Sequence, residues 1–176
     1  MTSCFLKPNE KGIREYLDAL LNQYKELRAE YNNKYDELYN EARRKTIRKE
    51  YSVKGDIIYR GFYCPSPVQD LVIGNSTRGK LLKTVTRRSK PSHEYSFDSD
   101  GRLIRVKYLF PDDDGFFPDN EFITYDEKTS RGIRFECNTV QTNKRQKKNQ
   151  IDCICDCFYD GFGRIEKFIT AFIYDN

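Results

Sequence analysis

The sequence predicts an α+β protein, in which a long N-terminal helix or helix pair packs on a twisted antiparallel β-sheet of hairpins, a β-meander. Residues 9–50 space apolar side chains at alternating steps of three and four, which is typical of one helix face. From residue 55 to residue 176 the spacing changes to every second residue and is interrupted by three aspartate-containing turns, which favours β-hairpins. The 176 residues are expected to form a single domain.

The helical segment has an aromatic apolar seam. Its apolar positions are Ile13, Leu17, Leu20, Tyr24, Leu27, Tyr31, Tyr35 and Leu38. Pro8 precedes the segment, Asn9 is a suitable N-cap, and the helix is predicted to reach about Lys49. A break near Asn32 and Asn33 would make it a helix pair. The seam is expected to pack on the sheet. A coiled-coil dimer is the alternative, although a dimer seam normally prefers Leu, Ile or Val over so many Tyr residues.

Three short stretches repeat an aromatic residue, an aspartate, a polar turn, then Arg or Gly before a branched apolar residue. They are residues 97–103, 125–133 and 159–165. The predicted strand pairs around them are residues 94–97 with 102–109, 121–125 with 133–137, and 151–159 with 164–174. Earlier in the chain, a strand is predicted over residues 56–62 and a hairpin from residues 68–73 and 80–86.

Alternation within the first predicted hairpin also assigns faces. Ile104, Val106 and Tyr108 would point to one side of the sheet, whereas Arg105 would point to the other and remain mostly solvated. Because a shift of one residue exchanges the two faces of a strand, this assignment depends on the register.

The composition indicates a well-solvated protein with an aromatic core. Hydrophobic residues make up 38% of the chain, aromatic residues 14% and charged residues 33%, with a net charge of only +4. Such a balance argues against a dedicated nucleic-acid-binding protein. The N-terminus lacks the apolar region of a signal peptide, and no stretch approaches the roughly 18 apolar residues of a membrane span. A cytoplasmic protein with reduced cysteines and no membrane partner is therefore expected.

Residue types that could support catalysis are few. Cys153, Cys155 and Cys157 alternate along a predicted strand, so their sulfurs would share one face. A structural zinc site needs about four ligands, and the single histidine, His93, lies beside Pro91 in a linker where a surface side chain is expected. Buried thiols that act as small apolar side chains are favoured over a metal site or a cysteine nucleophile. We therefore expect a protein that is not an enzyme and needs no cofactor, while metal binding by these thiols stays open.

The loop before the second predicted hairpin is the main candidate for partner binding. Three adjacent carboxylates followed by two phenylalanines place a charged rim beside an apolar anchor, which suits recognition of a basic partner. The candidate residues are Asp112, Asp113, Asp114, Phe116, Phe117, Asp119 and Glu121. The alternative is a solvated loop with both phenylalanines in the core.

Basic patches support a second hypothesis. Residues 43–49, 87–90 and 144–148 concentrate lysine and arginine, which with exposed tyrosines could follow a phosphate backbone. At the helix end the same cations would complement the helix dipole. A nucleic-acid-binding or phage-associated adaptor that uses residues 43–49 and 144–148 is therefore the alternative function.

The aspartate turns resemble the YD hairpin repeat of Rhs-type bacterial proteins. Residues 159–165 match the pattern Tyr-Asp-x-x-Gly-Arg-(Leu or Ile) fully, and residues 97–103 match it with Phe in place of Tyr. Small hydrophilic meander proteins of this kind are similar to the immunity proteins of bacterial polymorphic-toxin and contact-dependent inhibition systems. That resemblance implies a protein that binds a cognate toxin domain and blocks its active site. Whether it acts as a monomer or a dimer stays open.

Overall fold

The computed structural model describes residues 11–54, 61–64, 79–109, 120–140 and 146–172. These residues form two helices and eight strands. The helices are α1 (Lys11–Tyr31) and α2 (Tyr35–Lys45), and the strands are β1 (Arg48–Val53), β2 (Lys80–Leu81), β3 (His93–Phe97), β4 (Leu103–Tyr108), β5 (Asn120–Tyr125), β6 (Thr129–Val140), β7 (Gln146–Tyr159) and β8 (Ile165–Phe172). One antiparallel sheet contains all eight strands in the order β2-β1-β3-β4-β5-β6-β7-β8. The α+β prediction is confirmed.

The helical segment is a helix pair, with its break at the two asparagines that the sequence marks. Helix α1 ends at Tyr31, whose carbonyl accepts a hydrogen bond from the Lys34 amide at 2.9 Å. Helix α2 begins at the next residue, Tyr35. Asparagine favours turns because its side chain competes for backbone hydrogen bonds. The two helices are therefore joined by a short turn and both precede the first strand.

Helix α2 stops earlier than predicted, at Lys45. The amide and the hydroxyl of Thr46 both donate to the carbonyl of Ala42, at 3.0 and 2.6 Å, and end the helix. The amide of Ile47 then donates to the carbonyl of Phe97 at 2.9 Å. Strand β1 consequently starts at Arg48, where the sequence predicted the end of the helix.

The helices cover one face of the sheet. Their core contains Tyr24, Leu38, Ala42, Phe122, Ile133, Phe135, Ile151 and Ile154. The ring of Tyr35 packs edge-on against Phe122 of β5 and Phe135 of β6, at centroid distances of 5.7 and 5.2 Å. Further toward the N-terminus, the hydroxyl of Tyr24 donates to Asp156 of β7 at 2.9 Å. The helix pair therefore runs across the strands toward β8.

A second core lies on the opposite face of the sheet. It contains Tyr95, Phe97, Val106, Tyr108 and Ile123. Residues 61–64, here called the cover segment, lie on this core through Tyr63, whose ring is 5.1 Å from Tyr95 and 5.3 Å from Phe97. Ring edges packed on ring faces at such distances add to the stabilisation from burial alone.

A bulge changes the faces predicted for the first hairpin. Ser96 pairs with Arg105, but Phe97 pairs with Leu103, so one extra residue lies in β4. Leu103 therefore packs with the second core. Ile104 instead faces a cavity beside α2, and the prediction that it shares a face with Val106 was wrong.

The same hairpin buries a cation that the sequence analysis placed in solvent. The Arg105 guanidinium lies over the ring of Tyr39 at 4.7 Å, and its Nε donates to Asn120 Oδ1 at 2.8 Å. Asn120 in turn donates to the Tyr35 hydroxyl at 2.9 Å. Arg105 thus connects β4 to the helix layer, and the expectation of a solvated side chain was wrong.

The other predicted strands have mixed outcomes. Of the predicted strand over residues 56–62, residues 56–60 lie outside the described residues, and residues 61–62 form a bend and not a strand. The prediction over residues 68–73 also lies outside the described residues, and the predicted strand 80–86 is confirmed only over Lys80–Leu81. The second hairpin has a shorter turn than expected, because β6 already begins at Thr129. Within the part of the chain that the structure describes, neither helix has the length and apolar character needed to cross a membrane.

Candidate functional site

The predicted partner-binding loop lies mostly outside the described residues. This applies to Asp112, Asp113, Asp114, Phe116, Phe117 and Asp119. Glu121 is described, in β5, and only 6% of its surface is exposed. Its carboxylate accepts a hydrogen bond from the Tyr108 hydroxyl at 3.0 Å. The structure therefore places Glu121 inside the fold, while the role of the loop in binding stays a prediction.

Glu121 belongs to a buried polar cluster on the second face of the sheet. Arg134 lies directly opposite it in β6 and donates through Nε to Asp152 at 2.8 Å. Burial raises the pKa of Glu121, and the nearby Arg134 guanidinium partly opposes that rise. Gly132 makes room for the carboxylate, since a Cβ there would lie 2.6 Å from Glu121 Oε1. The side chains of this cluster therefore connect strands β4, β5, β6 and β7.

The three alternating thiols share one face, as predicted, and all are buried. Burial raises the pKa of Cys153 to about 12. A hydrogen bond between Cys155 and Cys157 raises the pKa of Cys155 and lowers that of Cys157, which also lies against Ser130 and Tyr159. Within the described ranges, no three His, Cys, Asp or Glu side chains are grouped so that they could hold a metal ion.

His93 is fully buried as the first residue of β3, and the prediction of a surface histidine was wrong. Its Nδ1 lies 3.1 Å from the Ser92 hydroxyl, and its ring stacks on Tyr95 and meets Tyr108 edge-on at 5.1 Å. Burial lowers the pKa of His93 to about 4, so the imidazole is neutral at pH 7. A neutral ring enclosed by aromatic side chains serves packing.

The buried His93 predicts a pH dependence of stability. Because the folded state lowers its pKa from 6.5 to about 4, the unfolded chain takes up the proton first as the pH falls. Stability present at pH 7 is therefore lost between pH 6.5 and pH 4. From pH 7 to pH 5 we expect the free energy of unfolding to drop by about 2 kcal/mol, measured by urea unfolding.

A His93→Gln variant is the control for this prediction. It should lose most of the pH dependence between pH 7 and pH 5, because glutamine has no proton to bind. Glu121 acts in the opposite direction. Because the pKa of its carboxyl group is raised in the folded state, the fold loses stability as the pH rises above the ordinary pKa of a glutamate. The variant Glu121→Gln isolates that contribution. An unchanged pH slope in His93→Gln would contradict the assignment.

Two of the three predicted turns adopt the same geometry. In the first, Asp98 Oδ1 accepts the amides of Asp100 and Arg102 at 3.0 and 2.8 Å, and Oδ2 accepts Arg102 Nε at 2.9 Å. Gly101 has a φ of 75°, which a glycine adopts at little cost. The aspartate side chain thus satisfies the turn amides and fixes the arginine that follows.

The turn at Asp160 repeats these contacts bond for bond. Asp160 Oδ1 accepts the amides of Phe162 and Arg164 at 2.8 and 2.9 Å, Oδ2 accepts Arg164 Nε at 2.7 Å, and Gly163 also has a φ of 75°. This geometry explains the Asp-x-x-Gly-Arg spacing of the repeat. The third stretch, after Tyr125, closes its turn differently, through the Asp126 amide and the Thr129 carbonyl at 2.9 Å.

The two matching turns differ in what they present to solvent. The position of Asp100 in the first turn is occupied in the second by Phe162, which is 85% exposed. The Arg164 guanidinium lies 5.1 Å from the centre of that ring. Since Asp100 supports the same geometry, the turn does not need an aromatic side chain there. The Phe162 tip, residues 160–164, therefore exposes an aromatic ring that the turn geometry does not require.

The basic patch at residues 43–49 is partly neutralised. Lys45 pairs with Glu41 at 2.6 Å, Lys49 with Glu94 at 2.9 Å, and Arg48 with Glu50. Exposed pairs of this kind contribute little to stability, but they reduce the positive field available to a phosphate backbone. The side chains of the second patch, residues 144–148, are not among those that the structure describes.

Two cavities lie on the helix-covered face beside Thr124 and Tyr125. One, of about 170 Å³, lies between α2 and strands β4 and β5, and the other, of about 220 Å³, adjoins Arg131 and Asp156. Most of the charged groups that line them are already paired, as Arg131 is with Asp156 at 2.7 Å. Both are too small for a typical ligand site of about 300 Å³ or more.

Phe162 was not among the functional candidates predicted from the sequence, although it lies in one of the three predicted turns. The signal was the comparison of the two matching turns, which differ in polarity at one position. Comparison with protein-family models, with curated proteins and with solved structures found no match for this chain.

Proposed function

We propose that this protein is a non-enzymatic binding protein that neutralises a cognate bacterial toxin domain in the cytoplasm. The observation that carries the proposal is the exposed ring of Phe162, mounted on a turn that does not require it. Aromatic residues and arginine dominate the energetics of protein interfaces, and Arg164 lies against this ring. The Phe162 tip therefore supplies an anchor of the kind that interfaces use.

The burial of the reactive groups supports the same proposal. His93 and the thiols of Cys153 and Cys155 are enclosed in the sheet, and their pKa values are shifted toward the neutral forms. The pKa of Cys157 is lowered instead, but its thiol is buried in the same strand and has no access to a substrate. A nucleophile needs its anionic form and access to the substrate. A protein that blocks a partner needs neither, because it acts by covering an active site.

The acidic loop extends the proposed binding surface. Asp112, Asp113 and Asp114 would pair with cations of the toxin domain, and Phe116 and Phe117 would add apolar contact. The resemblance of the aspartate turns to those of Rhs-type proteins, and of the whole chain to immunity proteins, supports this type of partner. The nucleic-acid alternative is disfavoured by the ion pairs of Lys45, Arg48 and Lys49.

The variant Phe162→Asp tests the proposal, because it gives this turn the residue that its matching turn already has. We expect binding to the toxin domain encoded in the neighbouring reading frame to weaken by about 2 kcal/mol, roughly thirtyfold in Kd. Isothermal titration calorimetry measures that change, and rescue of growth on co-expression in a bacterial host measures neutralisation. The thermal midpoint should stay that of the unmodified protein.

Val85→Asp is the matched control, since Val85 is an exposed apolar residue elsewhere on the surface. It should leave binding unchanged. Charge reversal of Asp112, Asp113 and Asp114 to lysine tests the loop separately from the Phe162 tip. If the neighbouring product is not toxic, or if this chain does not rescue growth, the proposed function is wrong. Full binding by Phe162→Asp would remove the tip from the interface.

A further inference from the structure

The loop between β2 and β3 carries charge of one sign only. This basic loop, residues 80–91, contains no acidic residue. Its cations are Lys80, Lys83, Arg87, Arg88 and Lys90, and each of these side chains is exposed. In the part of the chain that the structure describes, none of these cations forms an ion pair. The basic loop therefore differs from the patch at residues 43–49, where Lys45, Arg48 and Lys49 are paired.

The two ends of the basic loop meet at the carbonyl of Lys54. The Ser92 hydroxyl donates to that carbonyl at 3.0 Å, and a Cβ on Gly79 would lie 2.6 Å from it. Lys54 itself has a φ of 62°, in the left-handed region that a lysine adopts only at an energetic cost. The loop is therefore closed at its base, where Lys54 adds another exposed cation that has no ion pair among the described residues.

The tip of the basic loop is a hydrogen-bonded turn. The Ser89 amide donates to the Thr86 carbonyl at 3.0 Å, and the Thr86 amide donates to the Ser89 hydroxyl at 2.9 Å. Arg87 and Arg88 are the two residues between them, so both guanidinium groups extend from a fixed backbone. A backbone that is ordered before binding lowers the entropy cost of forming a contact.

We propose that the basic loop and Lys54 bind the phosphate backbone of a duplex nucleic acid. Exposed lysine and arginine side chains neutralise phosphates and release counterions, and a hydroxyl such as that of Thr84 donates to phosphate oxygens. The basic loop contains no aromatic side chain on which an unpaired base could stack, which favours a duplex over a single strand. This contact needs no toxin domain and does not depend on the proposed function.

Other anionic partners fit these residues less well. Protein interfaces are depleted of lysine, whereas lysine supplies most of the cations in the basic loop and at its base. A membrane surface takes up large apolar side chains beside the basic ones. The exposed apolar residue of the basic loop is Val85, which is small. Phosphates along a duplex need only the cations and hydroxyls that the loop presents.

The number of phosphate contacts sets the expected salt dependence. With about four cations on phosphates, the logarithm of the binding constant should fall with that of the salt concentration at a slope of about −3.6. A net charge of +4 places the affinity at the weak end of non-specific binding, a Kd of about 10⁻⁴ M at physiological salt. At about 50 mM salt the Kd should then be about 2 μM, and about 200 mM salt should weaken binding about 150-fold.

Fluorescence anisotropy of a labelled DNA duplex of about 20 base pairs, titrated with the full chain, tests the contact. The triple variant Lys83→Gln, Arg87→Gln and Arg88→Gln should weaken binding at least thirtyfold at about 50 mM salt, and the loss of three contacts should reduce the slope by about 2.7. The matched control is the triple variant Lys25→Gln, Arg43→Gln and Arg44→Gln, which removes the same charge from exposed positions of α1 and α2. It should bind within about threefold of the unmodified protein, because a backbone contact loses affinity through the cations that touch phosphates.

Acetylation of the unmodified chain locates the contact without any substitution. Excess duplex should protect Lys80, Lys83 and Lys90 from acetic anhydride, read by mass spectrometry, and leave Lys25 reactive. Absence of duplex binding at about 50 mM salt would overturn the proposal, as would equal weakening in the two triple variants. Binding to vesicles that contain phosphatidylserine, without binding to the duplex, would assign the basic loop to a membrane surface instead. None of these results bears on neutralisation of a toxin domain.

Discussion

Replacing Gly61 with alanine is expected to destabilise the fold by about 3 kcal/mol, the upper range for overpacked sites. A Cβ at Gly61 would lie 1.3 Å from the Tyr95 oxygen and 2.8 Å from Cγ of His93, and both rings are fully buried. The cover segment would have to leave the sheet, because Tyr95 has no open space to move into. Urea unfolding at pH 7 measures the change in the free energy of unfolding.

Loss of the cover segment would also remove hydrogen bonds. Backbone amides of Phe62 and Tyr63 lie at the Tyr95 oxygen and partly offset the rise of its pKa, to about 12, that burial causes. Gly12→Ala is the matched control, since no atom lies within 4 Å of a Cβ there, and in α1 alanine should stabilise by up to about 1 kcal/mol. Equal unfolding midpoints for Gly61→Ala and the unmodified protein would contradict the docked cover segment.

Asp156→Ala is expected to have an effect of similar size, about 3 kcal/mol. The buried carboxylate of Asp156 accepts hydrogen bonds from the Tyr24 hydroxyl at 2.9 Å and from Arg131 Nε at 2.7 Å. Its removal leaves a phenol and a partly buried guanidinium without their acceptor, and breaking such pairs typically costs about 3–5 kcal/mol. Partial exposure of Arg131 places the expectation at the lower end. Chemical unfolding measures the loss.

Glu30→Ala provides the contrast, because it breaks an ion pair of similar geometry in solvent. Glu30 accepts from Lys34 at 2.8 Å, and solvent screens this pair, so the unfolding midpoint should stay close to that of the unmodified protein. Near-UV circular dichroism should report loosening around Tyr24 in Asp156→Ala alone. If both variants lose the same small amount, α1 does not dock on β7 as described.

The helices and hairpins could be predicted because their signals are local. The spacing of the seam and the pair Asn32 and Asn33 sufficed for a helix pair, and the aspartate turns sufficed for the first and third hairpins. Strand β1 was missed because Arg48–Val53 follows the helix without Gly or Pro and carries three charged residues. Its pairing with β3 depends on contacts more than 40 residues away, such as the bond from Tyr51 to Glu94.

The candidate site was less predictable, for the same reason. The burial of Glu121 depends on Gly132 in the neighbouring strand, and the burial of His93 depends on the cover segment, neither of which a linear pattern reveals. The bulge between Leu103 and Arg105 also moved Ile104 to the other face. By contrast, Phe162 could have been identified from residues 98–102 and 160–164 alone, by asking which position differs between two copies of one turn.

The contact between Tyr24 and Asp156 joins residues 132 positions apart in the chain. During translation the aromatic seam of α1 leaves the ribosome well before the strand that will cover it. At about 5–20 residues per second, this interval lasts roughly 7–26 seconds. During that interval the apolar face of the nascent helix is exposed to the cytosol. Chaperones that shield nascent chains should therefore raise the yield of this protein.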